Sequence, residues 1–265
     1  MKKISIVKLL SFCYLSVLLG FSLPASAADW STTQLDITYG KLITPGFGFR
    51  TETENDTLIY TFQHASGWSK GDNFFFVDFL NSDDKVTGFN NTDWYGEWYT
   101  NFSYGKISGK EFSGALKDVG FTFGLNMAAD ANVVKYLPGI RLDWNVPGFA
   151  FVNTLFSAYI DDSVGFSVSV PASAPSEDDS YMIDVAWLKF FGDGKWSFAG
   201  HMEYIAERDN EFGGTVEAWI LAQPQIRYHF NDAVSAGIEY QYWQNKLGDK
   251  DADESTAQLL LTWTF

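Results

Sequence analysis

Apolar and polar residues alternate along most of the chain with a period of two. In the stretch FTFGLNM, residues 121–127, apolar side chains occupy every second position, and the positions between them hold Thr122, Gly124 and Asn126. Successive side chains of a β-strand point to opposite faces of its sheet, so this alternation is typical of a strand with one apolar and one polar face. Amphipathic helical periodicity is nearly absent from the sequence. The pattern therefore predicts an all-β protein.

The alternation recurs often enough to predict twelve strands. The stretches that show it are 34–39, 58–62, 75–79, 94–104, 121–127, 140–144, 149–159, 183–187, 196–204, 216–228, 234–242 and 258–265. Of these, the run 149–159 is the most mixed. Strands of this number and spacing are compatible with a soluble β-sandwich, a lipocalin-like barrel or a barrel in a membrane.

Charges on the polar faces decide between these folds. Arg141, Asp143, Glu203, Arg227 and Glu239 all fall on polar faces, and charges of this kind are costly in a packed core. They are tolerated in a wet lumen whose outer wall faces lipid. Aromatic residues make up 18% of the chain, which suits a barrel with rings at two membrane interfaces. The sequence therefore predicts a transmembrane antiparallel β-barrel of about twelve strands.

The connections between the predicted strands support the same fold. Short turns are predicted at 145–148, 192–195 and 231–232, and longer acidic loops at 160–180, 207–215 and 245–255. Outer-membrane barrels alternate in this way, with short periplasmic turns and long outer loops. The joint 106–118 is long although it falls on the short side. The stretch VGFSVSV (164–170) could be a thirteenth strand, but we assign it to a loop because single-chain bacterial barrels have even strand numbers.

The N-terminal residues predict export from the cytoplasm. Residues 1–27 combine a basic start, an apolar core at 9–23 and the small-residue site Ala25-Ser26-Ala27. This is the pattern of a cleaved signal peptide, and the apolar core is too short to serve well as a retained membrane anchor. We therefore expect a mature chain of residues 28–265 that forms one barrel domain.

The C-terminal residues predict the destination, the outer membrane of a Gram-negative bacterium. Apolar residues alternate up to the last position, with Leu260 as the one apolar residue on the opposite face. This ending resembles the signal that the barrel-assembly machinery reads when it inserts outer-membrane proteins. The predicted insertion signal consists of Leu259, Leu261, Trp263 and Phe265.

Composition narrows the classes of partner. The formal net charge is −15, which argues against nucleic acid because phosphate binding needs a basic surface. The single cysteine, Cys13, lies in the predicted signal peptide, so no disulfide is expected. No spacing of His, Cys, Asp or Glu suggests a metal site, and no cofactor is expected.

Three stretches carry a resemblance to a known family. They are NFSYGKISGKEFSG (101–114), GIRLDWNVPGF (139–149) and YHFNDAVSAGIEY (228–240). Together with the termini they resemble the Tsx-like nucleoside-specific outer-membrane channels, a family that includes OmpK-type phage receptors. The resemblance implies a monomeric twelve-stranded barrel with a narrow lumen that passes nucleosides, the long joint at 106–118, and outer loops where phage dock. Where the family carries an acidic residue, Pro and Arg, this chain has Tyr99, Thr100 and Asn101.

A set of residues on the polar faces is predicted to line the lumen and contact a solute. Carboxylates and amides can hydrogen-bond ribose hydroxyls and base edges, and a ring stacked on a base contributes about 1–3 kcal/mol. Weak sites suit a channel, since strong binding slows release. The candidates are Phe76, Asp78, Glu97, Tyr99, Asn101, Asn126, Arg141, Asp143, Arg227, Glu239 and Gln241. The alternative is that the pairs Arg141–Asp143 and Arg227–Glu239 only neutralise each other.

One short stretch invites an enzymatic interpretation. His64 and Ser66 are two residues apart on a predicted strand, and outer-membrane acyl hydrolases place a His and a Ser on one strand face in this way. The Asn that usually follows is missing, and the stretch falls at a predicted periplasmic turn. We therefore expect no catalytic residues.

The sequence as a whole predicts a passive, substrate-selective channel for nucleosides or other small neutral solutes. A general small-solute porin and a surface receptor or adhesin with a blocked lumen remain alternatives, and an acyl hydrolase is the least favoured. Expected partners are the permeating solute, outer-membrane lipids and the barrel-assembly machinery, with phage as a partner of the receptor alternative.

Overall fold

The computed structural model describes residues 28–49, 51–83, 92–169 and 173–265. The predicted signal peptide, residues 1–27, lies outside these ranges and stays a prediction. Within the described ranges, no helix is long and apolar enough to cross a membrane.

The described chain consists almost entirely of β-strands. They are β1 (Trp30–Thr44), β2 (Thr53–Trp68), β3 (Gly71–Ser82), β4 (Thr92–Ser103), β5 (Leu116–Ala128), β6 (Val133–Trp144), β7 (Phe151–Asp161), β8 (Ser180–Phe191), β9 (Trp196–Ile205), β10 (Arg208–Asp209), β11 (Thr215–Val216), β12 (Trp219–Ala222), β13 (Gln225–His229), β14 (Val234–Gln244) and β15 (Glu254–Thr264). A five-residue helix, α1 (Tyr104–Ser108), follows β4, and a 3-10 turn, η1 (Lys246–Gly248), precedes β15. Strands β10 and β11 form a separate hairpin, and the other thirteen form one antiparallel sheet.

That sheet is a closed barrel of twelve strands. Strand β1 pairs with β15, from Gln34 opposite Thr264 to Tyr39 opposite Leu259, so no edge is left open. Segments β12 and β13 are two halves of one strand, because both pair with β9 and β14 in a continuous register. Pro224 stands between the halves and has no N–H to continue the ladder. The predicted fold and strand number are confirmed.

The connections also follow the prediction, with two differences. Residues 164–169 form no strand of the sheet, as expected for a loop. The long joint after β4 contains α1, whose Lys106 ammonium donates to the Trp68 and Gly71 carbonyls, both at 2.9 Å. The first difference is that residues 129–132 make a short connection at the end where the long loops lie. The second concerns residues 216–228, predicted as one strand, because Val216 belongs instead to the hairpin.

The two faces of the barrel have the polarity expected for a wall in lipid. Many outward side chains are large, apolar and exposed, including Ile140, Phe156, Met202, Ile226, Ile238, Leu259 and Leu261. Many inward side chains are polar and buried, including Asp36, Thr38, Asn101, Asn126, Glu239, Gln241, Gln258 and Thr262. A closed sheet pairs its backbone groups internally, which is what a hydrocarbon surrounding requires.

Exposed aromatic rings gather near both ends of the barrel wall. Near the long loops they include Tyr39, Phe79, Trp94, Tyr181, Tyr240 and Tyr242, and near the short turns they include Phe102, Trp196, Phe230, Trp263 and Phe265. Such belts mark the two membrane interfaces. The predicted C-terminal pattern is present, since Leu259, Leu261, Trp263 and Phe265 are all exposed while Leu260 is 3% exposed inside. Its recognition by the assembly machinery stays a prediction.

A closed barrel predicts a simple behaviour in detergent. Because every strand is paired on both sides, the folded protein should resist dodecyl sulfate at room temperature and migrate differently from a boiled sample on a gel. A soluble periplasmic protein of the same mass, run beside it, should show a single mobility. Identical mobility before and after boiling would contradict the closed barrel.

Candidate functional site

The lumen is the candidate site, and the strand register determines which side chains face it. Asp36 lies opposite Thr61, and Thr61 lies opposite Asp78 on the next strand. Phe76 lies opposite Glu97, which in turn lies opposite Asn126. Continued around the barrel, this register puts every predicted lumen residue on the inward face. Their contact with a solute stays a prediction.

A network of inward hydrogen bonds lines the wall where the last strands meet the first. Arg227 Nη2 lies 3.3 Å from Asp36 Oδ2, and the same oxygen accepts a 2.7 Å bond from Gln63. Glu239 instead accepts bonds from the amides of Gln225 and Gln258, the latter at 3.0 Å. Arg227 and Glu239 thus form no direct ion pair, because Arg227 contacts Asp36 across the β1–β15 seam.

The network continues along β9 through His201. Its Nδ1 lies 3.0 Å from Asp184 Oδ1, and its Nε2 lies 2.8 Å from Gln223 Oε1. Gln223 also donates a 2.9 Å bond to Gln241. His201 and Asp184 were not among the predicted site residues. Both lie on the polar faces of their predicted strands, so the alternation alone could have included them.

A second group of charges lies nearer the short turns. Arg141 donates two bonds to Asp72, at 2.7 and 2.6 Å, and lies 3.1 Å from Asp143. Asn101 adds a 3.3 Å bond to Asp72, and Thr122 donates to Asn101 at 3.0 Å. The Arg141–Asp143 pair is confirmed. Asp72 was not predicted because it lies on β3, three strands away from Arg141 on β6. Only the strand register and the curvature of the barrel bring the two side chains together.

Three inward acids have neutral donors in place of cations. Asp78 accepts a 2.5 Å bond from Thr61, Glu97 accepts a bond from Tyr95, and Glu203 accepts a 3.3 Å bond from the Trp219 indole. Among the described residues, no Lys or Arg forms an ion pair with these three. The imidazole of His201 is close enough to Glu97 and Glu203 to interact with their charge.

Aromatic side chains accompany these acids on β3 and β4. The Phe76 ring lies 5.9 Å from the Tyr95 ring and 6.1 Å from the Phe74 ring. Tyr99 lies two inward positions beyond Tyr95 on β4, and its hydroxyl donates a 3.4 Å hydrogen bond to Asn126. We call Phe74, Phe76, Tyr95 and Tyr99 the aromatic strip. It offers ring faces next to hydrogen-bonding groups.

The lumen is not polar throughout, which differs from the sequence prediction. An apolar cluster fills the half nearer the long loops, with Tyr99 and Trp243 packed against it. It consists of Leu137, Leu155, Tyr159, Met182, Ile205, Val216 and Trp219. Small barrels fill their interiors with side chains, and inward Leu155 and Tyr159 explain why residues 149–159 alternate poorly. We call this cluster the apolar layer.

A buried ion pair lies in the loop before β15. The Lys246 ammonium is 2.8 Å from Glu254 Oε2 and lies 5.1 Å from the Trp243 ring. Burial lowers the pKa of Lys246, and the Glu254 carboxylate acts in the opposite direction. Glu254 also accepts a 2.5 Å bond from the Ile43 backbone. The contacts of Glu254 thus tie this loop to β1.

His64 and Ser66 do not form a catalytic arrangement among the described residues. His64 Nδ1 lies 2.8 Å from the Thr33 hydroxyl, and its ring stacks on Phe75 at 5.6 Å. Both His64 and Ser66 share the outward face with Phe62, near the short turns. No group of three or more His, Cys, Asp or Glu residues in the described ranges could hold a metal ion.

Comparison with known proteins gives the fold. No protein family model and no curated sequence matches the chain. The NanC porin is similar to it with a TM-score of 0.54 at 12% identity, covering 86% of this chain and 98% of the porin. An outer membrane channel from Pseudomonas putida F1 has a TM-score of 0.52 at 10% identity, covering 91% and 99%. The KdgM porin is similar to the chain with a TM-score of 0.47 at 10% identity, covering 88% of this chain and 99% of the porin.

At such identities the likeness establishes the fold alone. That fold, the outward apolar wall and the two aromatic belts make the chain a transmembrane β-barrel of the Gram-negative outer membrane.

Proposed function

We propose that the barrel is a porin-like channel for passive diffusion of small solutes across the outer membrane. The observation that carries the proposal is the hydrogen-bonded inward network from Asp184 through His201 and Gln223 to Gln241. A barrel that served only as a membrane anchor could be filled by apolar side chains, which would avoid the free-energy cost of burying polar and charged groups. Two barrels of similar fold are named a porin and an outer membrane channel, which is consistent with this function.

We further propose that the preferred solutes are neutral and carry a flat ring, as nucleosides do. The aromatic strip supplies ring faces for stacking, and Glu97 and Asn126 supply acceptors and donors beside it. Asp78, Glu97 and Glu203 disfavour anions, since no Lys or Arg forms an ion pair with them among the described residues. The resemblance to nucleoside channels points in the same direction.

The test is solute flux into liposomes that contain the purified protein. Nucleosides should enter faster than sugars of similar size, and Phe76→Ala should weaken base stacking by about 1–3 kcal/mol and reduce that advantage. Phe79→Ala removes a ring from the outward face of the same strand, where Phe79 is 52% exposed, and should leave the ratio unchanged. Equal entry rates for nucleosides and sugars would contradict nucleoside selectivity and indicate a general porin.

A receptor or adhesin barrel without transport is the second candidate, and the apolar layer favours it. Seven apolar or aromatic side chains pack there with little exposure, which narrows the water path. In this function the long outer loops would be the docking surface for phage or another cell-surface partner. Ion conductance near zero in a planar bilayer, from protein that passes the gel-mobility test, would support it over the channel.

A further inference from the structure

The hairpin formed by β10 and β11 folds onto the lumen at the long-loop end. Ala206, which precedes the hairpin, and Val216, which lies in β11, are 7% and 8% exposed, and Val216 is part of the apolar layer. Arg208 is 5% exposed although it carries a charge. The hairpin is therefore packed against the inside of the barrel mouth.

A segment of the loop before β8 is attached to this hairpin through its backbone. The Asp178 N–H donates to the Asp209 carbonyl at 2.8 Å, and the Glu211 N–H donates to the Ser176 carbonyl at 2.9 Å. Glu177 and Asn210 form a bridge between these bonds. The segment thus extends the hairpin by one strand-like pairing. We call residues 173–179 and 206–217 together the mouth cap.

Glu177 connects the mouth cap to the barrel wall. Its Oε2 lies 2.6 Å from Lys135 Nζ on β6 and 2.7 Å from Arg208 Nε in the hairpin. The side chains of Lys135, Glu177 and Arg208 are 3%, 16% and 1% exposed. Lys135 has a second acid, Asp161, at 3.0 Å. Arg208 has no other carboxylate partner among the described residues.

The cation that Glu177 neutralises lies over the apolar layer. The Arg208 guanidinium carbon is 4.4 Å from the Trp219 ring and 5.1 Å from the Tyr159 ring. Arg208 Nη1 also donates a 3.2 Å hydrogen bond to the Ala206 carbonyl. A guanidinium over aromatic rings is favourable only while its charge is also balanced or hydrated. Without Glu177, the guanidinium would have no carboxylate partner, and its 1% side-chain exposure leaves it almost no contact with solvent.

We propose that Glu177 is the positioning residue that holds the mouth cap against the apolar layer and so sets the size limit of the channel. This inference rests on the proposed channel function. Loss of the Glu177 charge leaves Lys135 paired with Asp161, and it leaves Arg208 buried without an acid. Arg208 then reaches water only if the hairpin moves outward, and that movement withdraws Val216 from the apolar layer and widens the mouth.

The test compares single-channel conductance of the wild type with that of Glu177→Gln and Arg208→Gln in planar bilayers. Both variants break the ion pair that attaches the hairpin to Glu177, Glu177→Gln by leaving Arg208 unpaired and Arg208→Gln by removing the cation. Both should therefore raise the conductance on the order of twofold, because conductance scales with the open cross-section at the narrowest level. Larger polyethylene glycols should also enter the pore. The double variant should exceed neither single variant, since both remove the same link. Glu207→Gln, an exposed acid beside Arg208, is the matched control and should conduct like the wild type.

The outcomes separate this proposal from the channel function. A wild type that conducts, with both variants unchanged from it, overturns the role of Glu177 and leaves the channel standing. A wild type that is closed, with a Glu177→Gln variant that conducts, supports the role of Glu177 in holding the mouth cap but overturns the channel function of the wild type. Folded protein that conducts in no variant overturns the channel function and this proposal with it. Gel mobility verifies folding, and if Glu177→Gln does not fold, Arg208→Gln decides by the same criteria.

Discussion

Replacing Arg227 by methionine is expected to lower the free energy of unfolding by about 3–5 kcal/mol, the usual effect of removing one partner of a buried ion pair. Arg227 Nη2 lies 3.3 Å from Asp36 Oδ2, and the two side chains are 9% and 5% exposed. Without the guanidinium, the Asp36 carboxylate stays buried at the β1–β15 seam with Gln63 as its hydrogen-bond donor. The seam should therefore weaken.

Urea unfolding in lipid vesicles, followed by tryptophan fluorescence, measures this effect. The double variant Arg227→Met/Asp36→Leu should regain part of the loss, because an apolar pair of similar volume can replace a buried ion pair. Lys41→Met is the control. Its ion pair with Glu54 is 3.8 Å long with both side chains 58% exposed, and such exposed pairs contribute about 0–1 kcal/mol. Equal losses for Arg227→Met and Lys41→Met would contradict the importance of the buried pair.

Replacing Leu261 by arginine is expected to destabilise the inserted barrel by about 2–4 kcal/mol, the effect of a basic residue at the bilayer midplane. Leu261 is 47% exposed on the outward face and pairs with Ile37 across the seam. Along the wall it lies between Trp263, in the belt near the short turns, and Tyr39 and Tyr240, in the belt near the long loops. The arginine would have to reach a headgroup or draw water into the hydrocarbon.

The same unfolding measurement tests Leu261→Arg, and the loss should shrink in thinner bilayers, where the headgroups are closer. Val164→Arg makes the same kind of change at a residue that is 82% exposed in the loop after β7. Surface changes of this type stay within about 0.5 kcal/mol. If both variants lose equal stability, the outward face is not a lipid-facing wall.

The alternation of side chains was enough to predict the barrel because it is a local property. A period of two fixes which face each residue occupies, and closure follows when twelve such strands have apolar outer faces. It also placed residues as far apart in sequence as Phe76 and Gln241 on the inward face. The sequence therefore identified the wall and its two surfaces.

The alternation of side chains could not predict which residues contact each other across the lumen. Arg227 meets Asp36, and Arg141 meets Asp72, because of strand register and barrel curvature. Neither property is encoded in the residues next to each partner. The local pattern suggests Glu239, on the neighbouring strand, as the partner of Arg227, whereas the guanidinium contacts Asp36 directly.

The apolar layer was missed for a different reason. Inward Leu137, Leu155 and Met182 pack with each other inside the barrel, so their strands are apolar on both faces over part of their length. Such strands alternate poorly, as the run 149–159 does, and the sequence alone cannot distinguish an interior cluster from a disturbed pattern. The mouth cap depends on backbone bonds between two loops, for which the sequence carries no periodic signal.

The seam between β1 and β15 makes completion of this fold depend on a contact between its first and its last strand. Thr264 pairs with Gln34, a partner 230 positions away. Until the two meet, the sheet has two unpaired edges that can recruit strands from other chains. Contacts of such long range are slow to form. Closure of the barrel therefore competes kinetically with aggregation. The unpaired edge of β1 must be protected from other chains until β15 has been synthesised and can pair with it.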